Sequence, residues 1–191
     1  MKVVAFNGSP RKDGNTFQSL KVVCDELEQA GIDTEIVQVG GKPLRGCTSC
    51  YGCFKNKNRE CVITEDELND YVRKMIEADG MIIGSPVYFS NVSSETKALI
   101  DRAGLVARAN DYLFARKVGA AVVAVRRAGA TFAFSAINFF FFIQQMMVPG
   151  SVYWNLGIGR EPGEVQKDEE GIVTFKTLGR NMAWLIKKLK S

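Results

Sequence analysis

The chain of 191 residues contains no histidine. This absence excludes Ser-His-Asp and Cys-His catalysis, because both need an imidazole to move a proton, and it excludes metal sites built on His ligands. The chain also has no uninterrupted run of the roughly 20 apolar residues that a membrane helix needs, since Ser, Asn and Gln break its most aromatic stretch, TFAFSAINFFFFIQQMMV. We therefore predict a soluble, cytoplasmic protein that has no membrane partner.

A secretory signal and a strong net charge are missing as well. The N-terminal MKVVAFNGSPRK holds too short an apolar stretch for a signal peptide. A net charge of +4 is too weak to indicate a nucleic acid partner. With 46% hydrophobic residues, the length fits one globular domain over residues 1–191.

Short apolar segments alternate along the chain with segments of helical periodicity. The predicted strands are KVVAF, TEIVQV, GMIIGSP, VGAAVVAV and a fifth within MMVPGSVYW. The predicted helices cover residues 16–30, a segment from Leu68 behind a capping box of Thr64 and Glu67, a segment around Leu99, the Phe-rich stretch, and residues 178–189. Continuously apolar strands separated by helices indicate a parallel sheet covered on both faces. We predict an α/β, flavodoxin-like, doubly wound sheet of five strands in the order 2-1-3-4-5, with a cysteine-rich insertion at about residues 43–62.

The loop after the first strand, NGSPRKDGNT, lies where such sheets bind a phosphate. It is not a P-loop, which needs G-x4-G-K-[ST], because five residues separate its glycines and Asn15 stands where Lys is required. A G-x-G-x-x-G fingerprint is absent too. A mononucleotide phosphate such as that of FMN remains, and a simple turn is the alternative. Most of the donors would come from Ser9, Arg11, Asn15 and Thr16.

The loop after the third strand, GSPVYFSNVSSETK, is the second candidate. A flavin ring needs a flat apolar wall, with backbone N–H donors where negative charge builds on reduction. Residues 86–90 offer aromatic surface on a rigid turn, although Tyr88 and Phe89 could equally be packing residues at the end of a strand. These residues are Pro86, Val87, Tyr88, Phe89 and Ser90.

Four separated stretches, GSPRKDGNT, the cysteine run ending in CVITEDEL, ADGMIIGSPVYFSNVSSETKALIDR and MMVPGSVYW, resemble the flavodoxin-fold FMN reductases and iron–sulfur flavoproteins. The resemblance implies FMN, electron transfer through flavin from NAD(P)H, and a homodimer or homotetramer with flavin near a subunit interface. Ferredoxin is the alternative donor, because the basic residues around the cysteines would attract an acidic carrier. The resemblance also implies a phosphate loop of Ser9, Arg11, Gly14, Asn15 and Thr16, a ring loop over residues 86–90, and a segment with Arg126 and Gly129 facing the far side of the ring. Asp101 and Arg102 match a family position as well, and we interpret them as an ion pair at a helix end.

Four of the five cysteines, Cys47, Cys50, Cys53 and Cys61, form the pattern C-x2-C-x2-C-x7-C. The spacing is close to that of ferredoxins, whose thiolates surround a [4Fe-4S] cluster, whereas zinc sites more often use two separated C-x2-C hooks. An iron–sulfur cluster is therefore the leading interpretation, with free thiols, zinc or a disulfide as alternatives. The family usually has a shorter gap before its fourth cysteine, so the role of Cys61 stays open.

The four consecutive residues from Phe139 to Phe142 would cover every side of a helix. We predict that one side faces the sheet and the other a second subunit. The leading functional hypothesis is an FMN-dependent oxidoreductase in which the flavin carries the chemistry, so no catalytic side chain is predicted. The alternatives are a non-catalytic electron carrier and a zinc-stapled regulatory module on the same fold.

Overall fold

A computed structural model describes all 191 residues. Its strands are β1 (Lys2–Asn7), β2 (Asp33–Gln38), β3 (Gly80–Pro86), β4 (Val118–Val125) and β5 (Leu156–Ile158). Its helices are α1 (Asn15–Gln29), α2 (Gly52–Asn56), α3 (Leu68–Glu77), α4 (Ser94–Ala109), α5 (Ala130–Ile143) and α6 (Glu169–Lys190), with a 3-10 helix at Glu164–Lys167.

The five strands form one parallel sheet in the order β2-β1-β3-β4-β5, which confirms the predicted topology. The registers place Asn7 beside Gly84 and Pro86 beside Ala124, so the carboxyl ends of β1, β3 and β4 meet at one edge. From β1 the chain crosses to β2 on one side and later to β3 on the other. This reversal opens a crevice at that edge, which is where ligands bind in open α/β sheets.

The sheet is covered on both faces because its central strands β1, β3 and β4 are apolar on both faces. Alternate residues of β1 belong to opposite cores, with Val4 in one and Val3 in the other. Helices α1 and α6 pack on the face that includes Val3, and α3, α4 and α5 pack on the other. The two cores fix the strand ends relative to one another and so provide a rigid floor for the crevice.

Two predicted details are wrong. The fifth strand is residues 156–158, not part of residues 146–154, where only Met147 bridges to Val118. The intervening chain leaves the sheet at Pro149, which has no N–H to donate, and turns Trp154 against Phe134 of α5 with ring centroids 6.1 Å apart.

The capping box is the second error, because α3 begins at Leu68, and Asp66 rather than Thr64 accepts a hydrogen bond from the Leu68 N–H. Glu67 accepts hydrogen bonds from Lys42 and Tyr71 instead. One distant residue, Lys42, and one residue of the same helix, Tyr71, therefore use the carboxylate that the local pattern assigned to the helix start.

Helix α5 presents its phenylalanines to two different environments. Phe141 is fully buried and packs so closely on β4 that a Cβ at Gly119 would lie 2.7 Å from its ring. The opposite side is open to solvent, with exposed fractions of 68% for Phe132, 68% for Phe139 and 59% for Phe142. None of the helices combines the length and the apolar composition needed to span a membrane.

We predict that a second copy of the chain covers the exposed side of α5. Phe139→Asp should then lower the molecular mass measured in solution to that of one chain, because it places a charge in the buried contact without touching the core. The measurement is size-exclusion chromatography with light scattering. Val173→Asp on α6, where Val173 is 53% exposed, is the control and should keep the wild-type mass. Wild-type protein that elutes as a monomer would contradict the prediction.

Candidate functional site

The start of α1 offers unused hydrogen-bond donors at the crevice. Gly14 precedes the helix and no side chain caps it. The backbone N–H groups of Asn15, Thr16 and Phe17 make no hydrogen bond within the chain. Since these groups carry the positive end of the helix dipole, they suit an anion such as a phosphate.

The predicted phosphate-loop side chains surround this helix start unequally. Ser9 and Thr16 are almost completely buried, while Arg11 is exposed. The Ser9 hydroxyl accepts a hydrogen bond from the Arg11 N–H at 3.2 Å and keeps its own proton for a ligand. Three of the expected donors therefore lie near the helix start in different environments.

The Asn15 amide is used elsewhere. Its Nδ2 donates to the Glu161 carbonyl at 3.0 Å, and its Oδ1 accepts from the backbone N–H groups of Gly163 at 2.9 Å and Val165 at 3.3 Å. Asn15 thus ties the loop before α6 to the helix start. Its backbone N–H and the second proton of Nδ2 stay free for an anion.

Gly8 joins the first loop to the start of α4. Its N–H donates to the Gly84 carbonyl at 2.8 Å, and its carbonyl accepts from the Ser93 hydroxyl at 2.7 Å. Ser93 in turn caps α4 by accepting from the Thr96 N–H at 3.3 Å. A Cβ added at position 8 would lie only 2.8 Å from the Gly84 carbonyl oxygen, so any side chain there would collide with the backbone of β3. The close approach of the two loops therefore requires glycine.

The second loop is a tight turn that exposes an aromatic wall. Tyr88 and Asn91 exchange backbone hydrogen bonds of 2.9 and 3.0 Å. Between them Phe89 and Ser90 have φ values of +48° and +60°, a left-handed conformation that is rare for residues other than glycine and that concentrates at functional sites. The turn leaves the N–H groups of Phe89 and Ser90 without partners and Phe89 fully exposed.

The loop after β4 touches this turn. Gly129 has a φ of +84°, and a Cβ placed there would lie 2.9 Å from the Ser90 Cα. Arg126 is exposed in the same loop. The structure therefore brings together one end of the predicted ring loop and the predicted far-side segment, and it places both at the same edge as the start of α1.

The four cysteines of the insertion line one narrow pocket between residues 47–63 and α4. The Cys47 sulfur accepts from the Ser49 N–H at 3.4 Å. Hydrogen bonds from the Gly52 N–H and the Thr48 hydroxyl lower the pKa of the Cys50 thiol, while burial raises that of Cys53. No three His, Cys, Asp or Glu side chains are close enough together to hold a single metal ion.

Arg102 also lines this pocket. The predicted ion pair between Arg102 and Asp101 is wrong. Asp101 pairs with Lys97 instead. The Arg102 side chain is 0% exposed, and its guanidinium forms an ion pair with Asp66, whose side chain is 4% exposed. It also donates to the Arg45 carbonyl at 3.0 Å, and sequence reasoning missed all of these contacts. One signal was available, since Arg102 lies three residues after buried Leu99 on the apolar stripe of α4.

A family described as NADPH-dependent FMN reductase matches residues 1–161. An iron–sulfur flavoprotein of Methanocaldococcus jannaschii is 35% identical over 197 residues, with 100% of both chains covered. Among solved structures, RosB with bound 8-demethyl-8-formylriboflavin-5'-phosphate has a TM-score of 0.78 and 20% identity, covering 100% of this chain and 80% of that one. A WrbA-like flavodoxin of Agrobacterium tumefaciens has a TM-score of 0.69 and 13% identity, covering 98% and 97%. The two solved structures show that the fold is flavodoxin-like.

The contact between Gly129 and Ser90 can be tested by adding one methyl group. Gly129→Ala should destabilise the protein by about 1–2 kcal/mol through left-handed strain, and by about 1–3 kcal/mol more because the methyl displaces Ser90. Gly163→Ala is the control, since Gly163 has a φ of +87° but a Cβ added there would have nothing within 4 Å. Denaturant unfolding measures both, and equal losses of stability would contradict the contact.

The buried pair of Arg102 and Asp66 predicts a defined response to acid. Burial works to raise the pKa of Asp66, but the hydrogen bonds from Arg102 and from the N–H groups of Arg45 and Leu68 outweigh it and lower that pKa below 3.8. Its stabilising contribution is therefore complete above pH 3.8 and is lost as the pH falls through the lowered pKa. Asp66→Asn should cost about 3–5 kcal/mol at pH 7, because it leaves a buried charge unpaired.

The difference in unfolding free energy between wild type and Asp66→Asn should narrow as the pH falls below 3.8, since the wild-type carboxylate is then neutralised too. Asp70→Asn is the matched control, because Asp70 pairs with Arg73 at the surface, where its side chain is 58% exposed, and it should change stability little. A difference that stays constant down to acid unfolding would argue against the pair as the source of the effect.

Proposed function

The chain belongs to the NADPH-dependent FMN reductase family, and on that basis we propose that it transfers electrons from a reduced donor through FMN to a small acceptor. It is a flavin-dependent oxidoreductase. The observation that carries the proposal is the convergence of unused backbone donors at one edge of the sheet. Three belong to the start of α1 and two to the turn at Phe89 and Ser90.

The residues of the crevice fit FMN in two parts. The phosphate would be held by the free N–H groups at the start of α1, with the hydroxyls of Ser9 and Thr16 as further donors. The ring would lie against the turn at residues 86–90, next to Gly129. Arg11 and Arg126 are both exposed, so either could add positive charge at the mouth of the crevice.

FMN, when bound, accepts two electrons as a hydride and can release them one at a time. The protein's part is then binding and electrostatics. The unpaired N–H groups of Phe89 and Ser90 provide fixed dipoles where negative charge develops on reduction. No side chain has to move a proton, which is consistent with a chain that has no histidine.

We also propose that Cys47, Cys50, Cys53 and Cys61 hold a [4Fe-4S] cluster. The relatives' description as iron–sulfur flavoproteins supports this assignment. So do the shared pocket and the hydrogen bonds to sulfur, which accompany thiolate ligands in such clusters. A single zinc ion is less well supported, because no three of these side chains are placed around one ion.

The family description favours a reduced nicotinamide as the donor, with ferredoxin as the alternative. We place the protein in the cytoplasm as a homodimer or homotetramer. A pure electron carrier would take up FMN but would not turn over NADPH with an added acceptor. A zinc-stapled regulatory module would be colourless and would contain zinc.

The phosphate cradle can be tested with Thr16→Val. A hydrogen bond to a charged group contributes about 1.5–3 kcal/mol, so the variant should bind FMN roughly 10- to 100-fold more weakly. Its affinity for riboflavin, which lacks the phosphate, should stay unchanged. Fluorescence titration of the apoprotein measures both ligands.

Thr174→Val is the matched control, because the Thr174 hydroxyl donates to the Glu170 carbonyl within α6. It should bind both ligands like wild type. The proposed function fails if wild-type protein takes up no FMN, or if the FMN-loaded protein does not oxidise NADPH in the presence of an acceptor. Equal loss of FMN and riboflavin affinity in Thr16→Val would refute the phosphate cradle alone.

A further inference from the structure

The Arg102 guanidinium connects α4 with both ends of the cysteine segment. Nη1 contacts Asp66 and the Arg45 carbonyl on one side of the pocket. Nη2 donates to the Ile63 carbonyl at 3.0 Å and to the Cys61 sulfur at 3.4 Å. One side chain thus fixes the residues that precede Cys47 and those that follow Cys61.

One donor of the same guanidinium remains unused. The Arg102 Nε is buried and has no hydrogen-bond partner. Buried donors are rarely left unpaired, and Arg102 lines the same pocket as the four cysteines. The unused Nε donor therefore suits one further hydrogen-bond acceptor, such as a sulfur of a cluster in this pocket.

The seven residues between Cys53 and Cys61 are held by hydrogen bonds at their C-terminal end. The Arg59 N–H donates to Asn110 Oδ1 at 3.1 Å. Asn69 holds the Cys61 backbone on both sides, accepting from its N–H at 2.8 Å and donating to its carbonyl at 2.9 Å. The long gap therefore ends at a fixed position, and Arg102 then directs the Cys61 sulfur toward the pocket.

We propose that Arg102 is the positioning residue that holds Cys61 as the fourth ligand of the [4Fe-4S] cluster. The inference depends on the cluster assigned under the proposed function. Its physical basis is the shape of the guanidinium, which reaches two carbonyls, a carboxylate and a sulfur from one buried plane. A lysine ammonium would keep the charge but cannot reproduce that fork.

The test is Arg102→Lys, reconstituted with iron and sulfide without oxygen. Residues that orient metal ligands typically contribute 10- to 100-fold to metal affinity, so the variant should lose iron to a chelator roughly 10- to 100-fold more readily than wild type. The three closely spaced cysteines remain. A one-electron oxidant such as ferricyanide should therefore take one electron from the [4Fe-4S]2+ cluster, which releases one Fe2+ and leaves a [3Fe-4S]+ cluster with its own EPR signal. Cys61→Ala, which removes the fourth ligand atom, should give the same product directly.

Arg108→Lys is the matched control, since Arg108 is exposed near the end of the same helix, and it should behave like wild type. The double variant Arg102→Gln/Asp66→Asn removes both members of the buried pair and leaves no unpaired charge. It should also yield the three-iron product, which guards against a folding defect of Arg102→Lys alone. Circular dichroism checks that each variant is folded.

The inference is overturned if Arg102→Lys and the double variant are both folded, both contain four irons, and both release iron to the chelator at the wild-type rate. That result would leave the cluster assignment in place. Wild-type protein that takes up no iron would instead overturn the cluster itself, and the inference with it. The first result is read from the variants and the second from wild type alone, so the two failures are distinguishable.

Discussion

The close contact at Gly8 is the constraint on which the crevice depends. Through its two backbone groups this residue ties the first loop to β3 and to the cap of α4. The contact holds the free end of α1 and the turn at residues 86–90 on one rigid edge. Without it, the donors for a phosphate and those for a ring would belong to two independently moving loops, and an anion bound at one would do little to orient a ring at the other.

A second buried contact organises the cysteine segment in a different way. Most of residues 43–62 lies outside regular secondary structure, and the segment contains only the short helix α2. Its order comes from polar interactions with α3 and α4, chiefly those of Asn69 and Arg102. A buried ion pair adds little net stability but is costly to break. The ion pair of Arg102 with Asp66 therefore fixes the geometry of the segment more than it stabilises the fold.

The sequence predicted the features that depend on local pattern. Apolar runs gave four of the strands, and the connections between them gave the sheet order. The loop after β1 was predicted to bind a phosphate because it combines small polar residues with a helix start. These signals are local, since each depends on residues within one loop or one turn of helix.

The errors arose where distant residues decide the structure. Arg102 appeared to pair with its neighbour Asp101, yet its partner lies 36 positions away. Glu67 resembled a helix cap, but its carboxylate accepts from Lys42, 25 positions away, as well as from Tyr71 of the same helix. Nor did the sequence predict that the Asn15 side chain bonds to a loop about 146–150 positions away. No local pattern carries this information, because polar side chains with several donors or acceptors choose partners only after the chain has folded.

Helix α4 gives these two contacts a fixed separation. Its cap, Ser93, bonds to the phosphate loop, and nine residues later Arg102 bonds to the cysteine segment. At a rise of 1.5 Å per residue the two points lie about 14 Å apart along the helix axis. The helix is therefore a rigid spacer between the first loop and the cysteine segment. Because tunnelling rates fall steeply with distance, such a spacer would keep the transfer rate between the proposed FMN and the proposed cluster constant even when the surface loops move.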